Sequence, residues 1–150
     1  MKPFILLIIT FVISAFLTKV FTKEFSFSLA ARIAMAIMLV FTAIGHFVFT
    51  KGMTMMIPEF IPFKESIVYL TGIFEILIAI GLLIPGLKLI TGWVLIIFLI
   101  LILPANIYAS MNNINYQTGA FDGYGLAYLW FRIPLQLFFI VWTYISAIRF

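Results

Sequence analysis

The sequence predicts an all-α fold, a polytopic membrane helical bundle forming one domain over residues 1–150. Three observations predict it. Of the 150 residues, 65% are apolar and 9% are charged, whereas a soluble domain is about half apolar and about a quarter charged. Mean hydropathy is +1.27. The apolar residues also gather into five runs, each close to the roughly 20 residues that cross a bilayer as a helix. The loops left over are too short to hold a soluble catalytic domain.

The first run, residues 4–22 (FILLIITFVISAFLTKVFT), lies between Lys2 and Lys23. It begins as a signal peptide would, but its apolar stretch is long, and Ser26 and Ser28 make a poor small-residue cleavage pattern. A retained transmembrane helix is expected. Ser28 is placed to cap the second helix, about 29–50. Residues 51–65 (KGMTMMIPEFIPFKE) contain two prolines and cannot continue a helix through a membrane. They read as an interfacial loop or short re-entrant segment folded over the bundle. The third helix, about 66–84, stops at Pro85-Gly86, and the fourth, about 88–110, contains Pro104, which should kink its last turns. A polar loop, 111–125 (MNNINYQTGAFDGYG), leads into the fifth helix, about 126–148.

Lys19, Lys23, Arg32, Lys88 and Arg149 lie on one side, with Arg32 expected to snorkel to the headgroups. Lys2, Lys51 and Lys64 lie on the other, balanced by Glu59, Glu65 and Asp122. The excess predicts the first side as cytoplasmic, with the N-terminus outside and the C-terminus inside.

Composition also excludes chemistry. With no cysteine in the chain, disulfides, thiol redox chemistry, Cys-ligated zinc and iron–sulfur clusters are ruled out. His46 is the single histidine, so one chain cannot hold a haem between two histidines. No metal site and no covalent cofactor are expected. A net charge of +4 without a dense basic tract fits the flanks of a membrane protein better than a nucleic-acid site.

Polar groups inside the hydrocarbon are costly, which makes them the informative residues. Glu75 lies in the middle of the third helix, about 13 Å deep at the helical rise. Arg132 lies about 9 Å into the fifth, with Gln136 following at i+4 on the same face. His46 and Asn106 lie near the ends of the second and fourth helices. The second and fourth helices end where the third and fifth begin, so all five groups fall in one half of the membrane, under two loops. That pattern suits a buried polar pocket with a cover. Each residue also has a purely structural reading. Glu75 and Arg132 make an ion pair that fixes helix register, His46 a satisfied structural histidine, and Asn106 a partner for the helix end. Small residues accompany the polar ones: Arg32, Ala36, Leu39, Ala43 and His46 repeat along one face, and Gly72, Glu75 and Ala79 along another. The tyrosines and tryptophans near both ends read as aromatic belts.

An ordered set of short motifs carries a resemblance. It comprises Gly45-His46-Phe47, the Pro-containing loop IPEFIPFKESIVYL, Thr71-Gly72-x-x-Glu75, Gly81-Leu82-Leu83-Ile84-Pro85, Pro104-Ala105-Asn106-Ile107-Tyr108 and Arg132-x-Pro134-Leu135-Gln136. Over about residues 30–145 this set resembles the DoxX-like family of small bacterial membrane proteins. The first helix is a departure, because the family core looks like four helices. The resemblance implies a bundle in the bacterial inner (cytoplasmic) membrane and a link to redox complexes. Such complexes include thiosulfate:quinone oxidoreductase and an assembly with superoxide dismutase and a sulfurtransferase-like partner. His46, Glu75, Asn106, Arg132 and Gln136 sit on the family's motif positions.

The expected function is a quinone- or lipophile-binding subunit of a membrane redox process. In it Glu75 and His46 relay protons as the catalytic pair, and Asn106, Arg132 and Gln136 hold the ligand. The partners expected are the bilayer, a lipophilic ligand such as a quinone and a redox partner protein, with no nucleic acid. A non-catalytic scaffold or assembly subunit is the alternative. A lipid isomerase-like enzyme using Glu75 and His46 as acid and base is a second.

Overall fold

The computed structural model describes residues 1–150; its regular secondary structure is all helical, with no strand and one isolated bridge between Asn115 and Ala120. The helices are α1 (Lys2–Thr22), α2 (Phe27–Val48), a short α3 (Thr50–Met55), α4 (Lys64–Leu83), α5 (Lys88–Met111) and α6 (Leu129–Thr143). A 3₁₀ turn, Gly125–Tyr128, precedes α6, and a π-helical turn, Tyr144–Arg149, follows it. The fifth span is this composite, Gly125–Arg149. Five helices are therefore long and apolar enough to cross a membrane, which fits a multi-pass membrane protein. Their ends lie within two residues of those read from the apolar runs.

The boundaries have local causes. Lys23, in the left-handed region at φ 57°, closes α1. Ser26, not Ser28, caps α2, and its hydroxyl accepts from the Leu29 amide at 3.4 Å. Ser28 instead donates to the Ser146 carbonyl at 2.8 Å. Ile84 turns extended ahead of Pro85 and ends α4, as the steric demand of a following proline requires. α5 runs on through Pro104.

α2 is the central helix. Half of its span is buried, against 11% for α1. Its alanines (Ala30, Ala31, Ala34, Ala36 and Ala43) are all buried, and such small side chains let neighbouring helices come close. α1 covers one side of α2 with a narrow stripe of Leu7, Thr10 and Ser14. Its remaining face (Ile9, Val12, Phe16, Phe21) is exposed, as a lipid-facing surface should be. α4 covers the other side of α2 and presents Gly72, Glu75 and Ala79 to it, while α5 packs against α4 and α6.

Arg32 does not snorkel. It is 7% exposed, and its Nη1 donates to the Leu82 carbonyl at 2.9 Å while Nε donates to the Ser28 carbonyl at 3.3 Å. The guanidinium sits at the C-terminal end of α4, where free carbonyls and the helix dipole favour a cation. Trp142 is likewise more than a belt residue. Its Nε1 donates to the Ala31 carbonyl at 3.1 Å, and its ring meets Phe11 edge-on at 5.1 Å. At the same end of the bundle Lys88 donates to the Phe150 carbonyl at 2.7 Å.

At the opposite end the two longer loops form one cover. Gly52 of α3 packs directly on the 112–124 loop, so closely that a Cβ there would stand 1.8 Å from the Tyr116 carbonyl oxygen. Phe49 and Tyr116 pack edge-to-face at 5.9 Å. The second loop is braced internally by Asn115 N–H to Ala120 O and Gly119 N–H to Asn115 O, both at 2.9 Å.

Candidate functional site

Beneath the cover, α2 and α4 run antiparallel and bring four polar side chains together. Thr42 and His46 lie one turn apart on α2, and Thr71 and Glu75 one turn apart on α4. The contacts cross. Thr42 Oγ1 donates to Glu75 Oε2 at 3.0 Å, and Thr71 Oγ1 lies 3.0 Å from His46 Nδ1. His46 Nε2 and Glu75 Oε1 form the one salt bridge in the chain, at 3.6 Å. Glu75 is 5% exposed.

Hydrogen accounting fixes the imidazole. His46 Nδ1 lies 3.0 Å from the Val68 carbonyl, which only accepts, so Nδ1 carries the hydrogen. Thr71 reinforces this, because its own hydrogen is directed to the Ile67 and Val68 carbonyls at 2.9 Å. Its oxygen is then an acceptor towards Nδ1. Nε2 therefore faces Glu75, and a proton is required between them. It resides either on the imidazole, as an ion pair, or on the carboxyl, as a neutral pair. Thr42 suits both states, because its hydroxyl has a second acceptor in the Leu39 carbonyl at 2.9 Å. With Glu75 ionised, Thr42 donates to it. With the proton on Glu75 Oε1, facing Nε2, Thr42 can go on donating to Oε2 or turn its hydrogen to Leu39. The shared proton can rest on either partner without rebuilding the site.

Gly72 makes the close approach possible. A Cβ on it would stand 2.8 Å from His46 Cβ and 3.2 Å from Phe47 Cε2. Gly72→Ala is expected to push His46 away from Glu75 and to destabilise by about 1–3 kcal/mol through overpacking. It should do so despite the gain of about 1 kcal/mol in helix propensity. Unfolding midpoints in detergent check this.

Thr71 also carries the dyad's contacts to the outer surface of the bundle. It is the one polar residue in a groove of about 410 Å³ on the outer face of α4 and α5, walled by Ile67, Leu70, Phe74 and Phe98 among others.

The five residues singled out from the sequence do not form one bonded set. His46 and Glu75 meet, but the expected Glu75–Arg132 ion pair does not form. α4 turns Glu75 towards α2, whereas α6 packs chiefly on α5, and no extensive interface joins α4 to α6. Asn106 donates to the Ile102 carbonyl of its own helix at 3.1 Å. Gln136 donates through Nε2 to the Leu99 carbonyl of α5. Arg132 has no hydrogen-bond or carboxylate partner at Nε, and its charge reaches Tyr116 in the cover. Burial pushes the Tyr116 phenol above its ordinary value, Tyr128 adds to this, and the Gln117 hydrogen bond and Arg132 only partly oppose it. Thr42 was missed from the sequence altogether. Thr71 was noted only as part of a motif. The available signal was a threonine one turn before each ionisable residue.

The family described as Domain of unknown function (DUF8561) matches residues 35–147. The chain belongs to this family. The match begins inside α2, so α1 and Arg32 lie outside it, while Thr42, His46, Thr71, Glu75, Asn106, Arg132 and Gln136 all lie within it. No curated protein and no solved structure matches the chain.

Proposed function

We propose that this DUF8561 chain is the lipophile-binding subunit of a membrane redox process, with a quinone as the chemical class of ligand. In this reading the His46–Glu75 dyad is its proton donor and acceptor. The supporting observation is Thr71, which lines the outward-facing apolar groove and whose hydroxyl lies 3.0 Å from His46 Nδ1. A quinone needs an apolar berth for its ring and a proton source at its oxygen, and the groove and dyad offer both. The motif resemblance to DoxX-like proteins adds the redox context and a bacterial inner membrane. The excess of Lys and Arg at the end opposite the cover supports an orientation with the cover outside the cytoplasm. Electrons come from a partner protein or from the quinol itself.

The test is titration of the protein in nanodiscs with duroquinone, read by calorimetry. Saturable binding is expected; Thr71 would turn its hydrogen from its own helix's carbonyls to the quinone oxygen, so Thr71→Val should weaken binding about tenfold, the worth of one hydrogen bond. No saturable binding, or full affinity in Thr71→Val, counts against the reading. A second reading, an assembly subunit, is favoured by the exposed aromatic residues of the cover and its rim, Phe60, Phe63, Phe121, Tyr124 and Trp130. Co-purification of one stoichiometric partner, lost when Phe60 and Phe63 become serine, would support it.

A further inference from the structure

A polar cavity of about 330 Å³ opens between α3 and the start of α4, whereas the apolar groove lies between α4 and α5. Its walls are Thr50, Lys51, Thr54 and Glu65, with no apolar residue among them. Lys51 and Glu65 are exposed and of opposite sign, yet they do not pair, since the one salt bridge in the chain is His46–Glu75. The cavity thus has a cation and an anion in its walls, and neither answers the other. Lys51 is steadied by its stem. A Cβ on Gly119 would stand 3.8 Å from Lys51 Cγ and Cδ, so the stem lies along the 112–124 loop. The threonine hydrogens are already committed. Thr50 donates to the His46 carbonyl at 2.8 Å and Thr54 to the Lys51 carbonyl at 2.6 Å. What both hydroxyls have left to offer is an acceptor oxygen.

A lysine ammonium only donates, and an ionised carboxylate only accepts. A ligand that answers the whole wall therefore carries an anion at one end and an N–H-bearing cation at the other. The cavity stands where α2 ends and α4 begins, at the end of two apolar spans, which is headgroup depth. Phe47 and Tyr69 stack across the α2–α4 seam beside it, with ring centroids 5.7 Å apart, and the Tyr69 hydroxyl approaches Glu65 Oε1 at 3.5 Å. Partly exposed rings of this kind mark the boundary between headgroups and acyl chains. Further along the same two spans Val40, Ile44 and Ile73 are exposed, which leaves apolar surface for the chains. We infer that Thr50, Lys51, Thr54 and Glu65 form a binding site for the headgroup of an ethanolamine phospholipid. Lys51 takes the phosphate, and Glu65 with the two hydroxyl oxygens takes the ammonium, through charge-assisted hydrogen bonds. A choline headgroup keeps the charge but has no N–H to donate, and a glycerol headgroup brings no cation to Glu65. The site uses neither the His46–Glu75 dyad nor the apolar groove, so it stands or falls independently of the quinone reading. The other source of the same chemistry is a free ammonium–phosphate zwitterion.

The experiment reads lipid adducts of the detergent-solubilised protein by native mass spectrometry. The probes are dioleoyl phosphatidylethanolamine, phosphatidylcholine and phosphatidylglycerol, with free phosphoethanolamine as competitor. Phosphatidylethanolamine is expected to bind about tenfold tighter than the other two, one hydrogen bond's worth. Glu65→Gln should bring it down to the level of phosphatidylcholine. Lys51→Met, which keeps the stem, should weaken all three lipids, because all carry the phosphate. Both side chains are exposed, so both variants keep the fold. Equal binding of the three lipids to the unaltered chain overturns the site. A preference that survives in Glu65→Gln, or full affinity in Lys51→Met, also overturns it. Displacement of phosphatidylethanolamine by an equal concentration of phosphoethanolamine assigns the cavity to a soluble zwitterion and overturns the lipid as its occupant.

Discussion

The His46→Ala variant is expected to lose about 3–5 kcal/mol of stability, the usual cost of stranding one member of a buried ion pair. Glu75 is 5% exposed, and without His46 its only remaining partner is the Thr42 hydroxyl. The double change His46→Ala with Glu75→Leu should be more stable than His46→Ala alone, because replacing a whole buried pair by apolar groups is often close to neutral. Recovery on adding a second mutation is the signature of coupling, and simple loss of packing would make the two changes add. Equilibrium unfolding of the single and double variants in detergent measures it. A double variant no more stable than His46→Ala would remove the dyad from the account.

Gly52→Ala is the second large effect. Its Cβ would stand 1.8, 2.4 and 2.8 Å from the Tyr116 carbonyl oxygen, carbonyl carbon and Cα. All three are backbone atoms, so no side chain can swing aside, and the 112–124 loop itself must leave. Overpacking of this kind reaches about 3 kcal/mol or more. Alanine at a helical glycine otherwise gains about 1 kcal/mol, so the sign of the change alone decides between a docked and an undocked cover. Limited proteolysis should cut within residues 112–124 in Gly52→Ala while far-UV circular dichroism keeps its helical signal. Resistance equal to the unaltered protein would mean that the loops do not rest on each other.

The spans were legible because a backbone in lipid must satisfy its own hydrogen bonds, so long apolar runs have little choice but to be helices. The cost of polar groups in hydrocarbon likewise singled out Glu75 and His46. Hydropathy does not encode which helix faces which, and the pairing went wrong there. Glu75 was matched with Arg132 because both are charged and at similar depth, yet α4 faces α2. Arg32 near a helix end reads as a snorkelling residue, since its acceptor, Leu82 O, lies 50 residues away on another helix. Thr42 escapes notice because a threonine can return its hydrogen to its own helix, as Thr42 can towards Leu39 O. Such a residue is at home in any membrane span.

The ties among the helices are unevenly distributed. At the end away from the cover, Arg32 binds α2 to α4, Trp142 and Ser28 bind α2 to the last span, and Lys88 holds Phe150. Towards the cover, His46 still holds α2 to α4 through Val68, but α5 and the last span share only the Gln136–Leu99 bond, near mid-depth. The bundle is thus a tweezer with its joint at one membrane surface and its tips under the loops. The arms with least to break are α5 and α6, and spreading them from α4 widens the mouth of the lipid-facing groove at Phe74 and Phe98. Under the proposed function, a molecule entering the groove from the side would meet the bundle where the fewest side-chain ties hold it.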